Sequence, residues 1–158
     1  MAGAIGALLL AFVALIAMVN GMLETGGSWV GIEQLTLERV LGGLLQPLAW
    51  ALGVPWDEAQ LAGSLIGQKF ILNEFVAYVT YSEVAGQLSP RSQAIVIFAL
   101  CGFANLSSIA ILLGGLGAVA PGRRDEVSQY GFRALIAASL SNLMSAALAG
   151  FFLTLGAA

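Results

Sequence analysis

The sequence predicts an all-α integral membrane protein: spanning helices joined by an interfacial amphipathic helix, a re-entrant helical hairpin and a discontinuous helix. Three observations carry that prediction. Hydrophobic residues make up 59% of the 158 and charged residues 9%, against roughly 25% charged in soluble domains. The charges are also clustered, with none in 1–23, 92–122 or 134–158, and about 20 apolar residues suffice to cross a hydrocarbon layer about 30 Å thick. Finally, the long apolar stretches are interrupted by short polar groups, as in "GQKFILNEFVAY" at 67–78.

The first element, about residues 3–23, is a spanning helix. A signal peptide fits poorly, because no Lys or Arg precedes Arg39 and the apolar run is too long for an h-region. Gly3, Gly6 and Ala7 are small enough for close helix contact.

Residues 24–58 form a connector. Gly26 and Gly27 suggest a loop, and all three tryptophans (Trp29, Trp50 and Trp56) fall here, as residues anchored at headgroup depth do. Leu37, Val40, Leu41, Leu44 and Leu45 follow helical spacing with Glu38 and Arg39 off the stripe, which reads as an amphipathic helix along the membrane surface. Pro47 is expected to stop it.

The next element, 59–88, carries Gln60, Ser64, Gln68, Lys69, Asn73, Glu74, Ser82 and Glu83, too many polar groups for an ordinary span. A hairpin entering and leaving on one side, with its turn at Asn73-Glu74, suits its length, provided that protein or water surrounds the turn. Residues 92–120 are uncharged but interrupted at "CGFANLSS", 101–108. As one helix they would run about 43 Å; a helix broken at its middle explains the interruption better. Pro121 ends this element, Arg123 to Glu126 form a polar loop, and 133–157 is the last span. Its Ala138, Ser141, Asn142, Ser145 and Ala149 share one face, a stripe suited to helix packing.

Arg123, Arg124 and Arg133 favour a cytoplasmic loop there, in the inner or cell membrane of a bacterium. With a hairpin at 59–88 the crossings then close consistently; a full span at that position would break the parity.

Several function classes fall away. A net charge of −3 with no basic run gives a nucleic-acid backbone nothing to follow. The absence of histidine and the single cysteine argue against a zinc or haem site, so no metal ligand and no cofactor are assigned. Cys101 reads as a small packing residue in a buried segment. No serine lies in a nucleophile-elbow context, and the chain is not read as an enzyme.

What remains is a set of intramembrane polar residues: Asn73 with Glu74, Asn105 with Ser107 and Ser108, and Asn142 with its serines. An ionisable residue at membrane depth costs a few kcal/mol and usually marks a substrate, ion or proton pathway. A carboxylate accepts from two neighbouring hydroxyls at once, and an amide both donates and accepts. Glu74, Asn105 and Ser108 therefore suit a polyhydroxylated neutral solute such as a sugar moiety, and suit a cation or proton about as well. An ion pair of Glu74 with Lys69 is disfavoured, because five residues along one helix the two point about 140° apart; Asn73 is the better-placed helical neighbour of Lys69. The reading from another class is a structural or assembly subunit, in which these groups only pack helices.

The blocks "GQKFILNEFVAY", "LSPRSQAIVIFALCGFANLSSIAILLGGLGAVAP" and "GFRALIAASLSNLMSAALAGF" resemble the C-terminal part of the concentrative nucleoside transporter family, and "PLAWALGVPW" fits it too. The resemblance implies a secondary active transporter that imports nucleosides on a sodium or proton gradient, forms homotrimers in the lipid bilayer, and builds its transport domain from two inverted repeats. On that basis 1–23 is a scaffold helix, 24–58 an interfacial helix and connector, and 59–158 the second repeat, with its hairpin at 59–88, broken helix at 92–120 and final helix at 133–157. The resemblance places the ribose against Glu74, Asn105 and Ser108, with Phe103 and Asn73 lining the pocket. It also implies that the first repeat, with the base-contacting hairpin and the coupling-ion site, lies outside this chain, which would then be a fragment.

Overall fold

The computed structural model describes residues 2–29 and 31–156. Among them are seven α-helices, two short 3-10 turns and no strand. Helix α1 (Ala2–Trp29) is longer than the sequence reading, because Gly26 and Gly27 continue it instead of forming a loop. The reason is tertiary. The chain reverses at 31–34, where Gly31 and Gln34 have φ of 78° and 56°, and a β-carbon at Gly27 would meet the Ile32 carbonyl at 2.6 Å. Close contact at Gly3, Gly6 and Ala7 falls outside the described side chains.

Helix α2 (Leu37–Ala51) starts at Thr36, whose hydroxyl accepts from the Arg39 amide at 3.2 Å. Asn20 on α1 holds this end as well, accepting from the Leu37 amide at 2.8 Å and donating to Glu38 at 3.1 Å. Pro47 does not stop the helix. The carbonyl deprived of a donor belongs to Gly43, an exposed residue. The buried face carries Leu41, Gly42 and Ala49, while Val40 and Leu44, read as part of the apolar stripe, are exposed.

That buried face lies along α3 (Trp56–Ile71), so closely that it requires glycine. A β-carbon at Gly63 would come within 2.9 Å of the Leu45 and Gln46 backbone, and one at Gly42 within 2.7 Å of the Gln60 carbonyl. Small residues do this in membranes because lipid tails are as apolar as leucine, and association must come from close packing.

After a two-residue break, α4 (Glu74–Val84) folds back on α3, which is the expected hairpin. Thr80 donates to the buried Gln68 side chain across its arms at 2.9 Å. Its base is closed by Glu58, which accepts from the Ser89 amide and hydroxyl at 3.1 and 3.0 Å. Helices α5 (Pro90–Leu100) and α6 (Leu106–Val119) are the two halves of the discontinuous helix, so the break expected at 101–108 is present.

Helix α7 (Arg124–Gly156) begins nine residues before the predicted span, with Asp125 and Glu126 in a first turn where the helix dipole favours acids; residue 157 lies outside the described residues. It is long and apolar enough to cross a membrane over Ser128–Gly156. Among its described side chains the buried positions are Leu143, Ala146 and Gly150, whereas Ala138, Ser141 and Ser145 of the expected stripe are exposed. Gly150 faces α5, where the Ile95 Cδ1 lies 2.6 Å from the place a β-carbon would take. Ile136, Leu140, Met144 and Leu148, at four-residue spacing along a flank of the helix, are exposed. Trp29, Trp50 and Trp56 are all more than half exposed, and the last two stack edge to face at 6.3 Å.

Candidate functional site

Both discontinuous elements restart on an asparagine. At the hairpin tip Leu72 leaves the helical region and Asn73 is fully extended. The Asn73 side chain then accepts from the Val76 amide at 2.9 Å, so it caps α4 and makes Glu74 the first helical residue. Asn105 does the same for α6, its Oδ1 accepting from the Ser108 amide at 2.9 Å. Asparagine is among the best residues at this position because its carbonyl satisfies an amide that the helix cannot. The sequence reading took Asn73 for a helical neighbour of Lys69; the break between them removes that geometry.

The two capped N-termini meet. Asn105 Nδ2 donates to Glu74 Oε2 at 2.9 Å. Asn105 is 1% exposed, and its Oδ1 also lies 2.6 Å from the Ser107 hydroxyl and 2.9 Å from the Ser108 hydroxyl. Ser107 in turn reaches the Leu72 carbonyl at 3.3 Å, joining the helix break to the hairpin tip. Of the residues the sequence singled out, Glu74, Asn105 and Ser108 thus form one network with Asn73 at its edge. Phe103 sits on the linker between α5 and α6, 66% exposed, as a free aromatic face beside it.

The chemistry follows from the inventory. An amide oxygen has two lone pairs, and three donors converge on Asn105 Oδ1, so one serine hydroxyl is free to turn to a ligand. Glu74 is half-buried and accepts one hydrogen bond among the described residues, which leaves most of its acceptor capacity open. The result is a fixed carboxylate with neutral donors and acceptors beside it, suited to vicinal hydroxyls.

One expectation is corrected nearby. Cys101 is exposed because α5 ends just before it, and its sulfur lies 3.2 Å from the Tyr78 hydroxyl, which also donates to the Ile97 carbonyl at 3.0 Å. Lys69 makes no ion pair with Glu74: Arg123–Glu126 is the only salt bridge among the described residues. Lys69 is 0% exposed and donates to Asn142 Oδ1 on α7 at 3.1 Å. Sequence reasoning treated Asn142 as one member of a packing stripe. The signal available was the pairing of an intramembrane lysine with an intramembrane amide, but nothing in the sequence specified which amide.

The chain is 53% identical to the transporter YutK of Bacillus subtilis over 149 residues, covering 94% of this chain and 37% of that one. It is 48% identical to the nucleoside permease NupC of Helicobacter pylori, covering 97% and 38%, and 40% identical to the rat sodium/nucleoside cotransporter 1, covering 92% and 25%. The chain therefore spans less than two-fifths of the length of these relatives. In structure it superposes on CNTnw in an inward-facing substrate-bound state with a TM-score of 0.90 at 58% identity, covering 98% of this chain and 39% of that one. Residues 1–150 match the family described as the Na+ dependent nucleoside transporter C-terminus, and the chain belongs to that family.

Proposed function

We propose that the chain is the C-terminal part of a secondary active transporter that imports nucleosides by symport with sodium or protons, and that it supplies the ribose side of the site. The observation that carries this reading is the Glu74–Asn105–Ser108 network at two converging helix N-termini. Glu74 accepts from the two ribose hydroxyls, the free serine hydroxyl and the second Asn105 N–H complete the contact, and Phe103 covers one edge. A buried polar site of this kind rejects solutes that lack the hydroxyls, because its own groups would then be left unpaired.

On this reading α1 belongs to a scaffold and α3 to α7 to a moving transport unit. The base-side hairpin and coupling-ion site come from a preceding repeat, the assembly is a homotrimer, and the loop with Arg123 and Arg124 is cytoplasmic. No catalytic step is assigned. The test is uptake into vesicles by the full-length protein carrying this chain. Glu74→Gln and Asn105→Ala are expected to abolish nucleoside uptake with trimers intact, and imposed sodium and proton gradients identify the coupling ion. Normal uptake by both variants would overturn the assignment.

A further inference from the structure

Lys69 is a fully buried ammonium that the proposed site does not use. It sits in the last turn of α3, three residues before the break at Leu72. Its partner, Asn142, accepts from Lys69 Nζ at 3.1 Å and donates to the carbonyl of Phe98 at 2.8 Å. Phe98 is in the last turn of α5, immediately before the break of the discontinuous helix. One amide on α7 therefore holds the C-terminal ends of both first half-helices, while the N-terminal ends of the second halves carry Glu74 and Asn105.

We propose that Lys69 and Asn142 are positioning residues, a buried bridge that sets the spacing between Glu74 and Asn105. Only short breaks, Leu72–Asn73 and Cys101–Asn105, separate the bridged ends from the site, so a shift of one end relative to the other is passed directly into the site. The linker is shaped for the bridge, since a β-carbon at Gly102 would lie 2.5 Å from Asn142 Cγ; only glycine lets the amide in. A lysine suits the position because the last carbonyls of α3 carry partial negative charge and the Phe70 ring lies 4.7 Å from Nζ, a distance at which an aromatic face attracts a cation. A charged donor also holds its acceptor more firmly than a neutral one.

The consequence for nucleoside affinity rests on the transport reading above; the consequence for the geometry of the two breaks does not. Both are measured in the full-length protein with Lys69→Met, Asn142→Leu and the double variant. Calorimetry with uridine and adenosine gives Kd, and amide hydrogen exchange reports on 72–76 and 101–108. Each single variant is expected to raise Kd about tenfold and the double variant no further than the weaker single, with faster exchange at both breaks and unchanged exchange at 59–67. A merely structural role would reduce the folded yield and leave Kd alone. Should these variants fail to fold, Gly102→Ala, whose β-carbon would meet the Asn142 side chain, must reproduce the exchange pattern; wild-type exchange in it overturns the bridge. Unchanged Kd and exchange in folded variants, or additive effects, overturn it as well. If the wild-type protein binds neither nucleoside while exchange responds as stated, the transport reading falls and the bridge stands.

Discussion

Asn73 and Asn105 each perform two tasks at the residue scale. Each caps a half-helix, and by doing so each fixes the residues at the start of that helix relative to the other break. Removing the Asn73 carbonyl leaves the Val76 amide without its partner, at a cost of about 1 kcal/mol for a helix N-cap. Asn73→Ala is therefore expected to lower the melting temperature of the detergent-solubilised protein by a few degrees and to weaken nucleoside binding more than that small loss implies, because Glu74 follows directly. Melting curves and calorimetry on the same sample separate the two effects. That Glu74, Asn105 and Ser108 were candidates was legible from residue type, since a carboxylate at membrane depth is costly and usually marks a pathway. The role of Lys69 was not, because its partner lies 73 residues away on another helix.

At the scale of elements, α2 and α3 pack through glycine. Gly63→Val places two methyl groups where a single β-carbon already meets the Leu45 and Gln46 backbone at 2.9 Å, and backbone cannot yield as a flexible side chain can. The expected loss is about 1–3 kcal/mol, typical of overpacking, read as a lower melting temperature, whereas Gly43→Val, facing open space, should show no such packing penalty. The start of α7 offers a pH-dependent element. Arg123 Nη2 lies 2.6 Å from Glu126 Oε2, and this hydrogen bond and charge hold the Glu126 carboxyl below the usual carboxylate range. A depressed pKa means that the stabilising contribution is present above the ordinary carboxylate value and is lost as the pH falls through the lowered one. The stability difference between wild type and Glu126→Gln should thus exist at neutral pH and vanish in acid. Both groups are fully exposed, so salt at about 1 M should erase it as well.

For the whole molecule, the prediction concerns orientation. Gly122 is exposed, and a β-carbon there meets nothing within 4 Å, so Gly122→Cys in a Cys101→Ser background introduces a reporter without strain. A membrane-impermeant maleimide is expected to label it only after permeabilisation, which places the Arg123 loop in the cytoplasm. Labelling of intact cells would reverse the orientation.

The sequence by itself determined the membrane class, the hairpin, the break in the helix at 101–108 and the identity of the polar residues worth attention. All of these follow from local quantities: runs of apolar residues long enough to cross a bilayer, interruptions that no span tolerates, and the cost of a charge at depth. It misjudged Gly26-Gly27 and Pro47, because the solvation and crowding of a glycine or a proline depend on what packs nearby. The tertiary structure alone decided which face of α2 and α7 turns inward, that Cys101 is exposed and Lys69 buried, and that Asn142 joins the ends of two separate half-helices. Those outcomes depend on close approach between segments far apart in the chain, where a missing β-carbon at Gly63, Gly102 or Gly150 sets the distance, and no local pattern records which neighbour will fill the space.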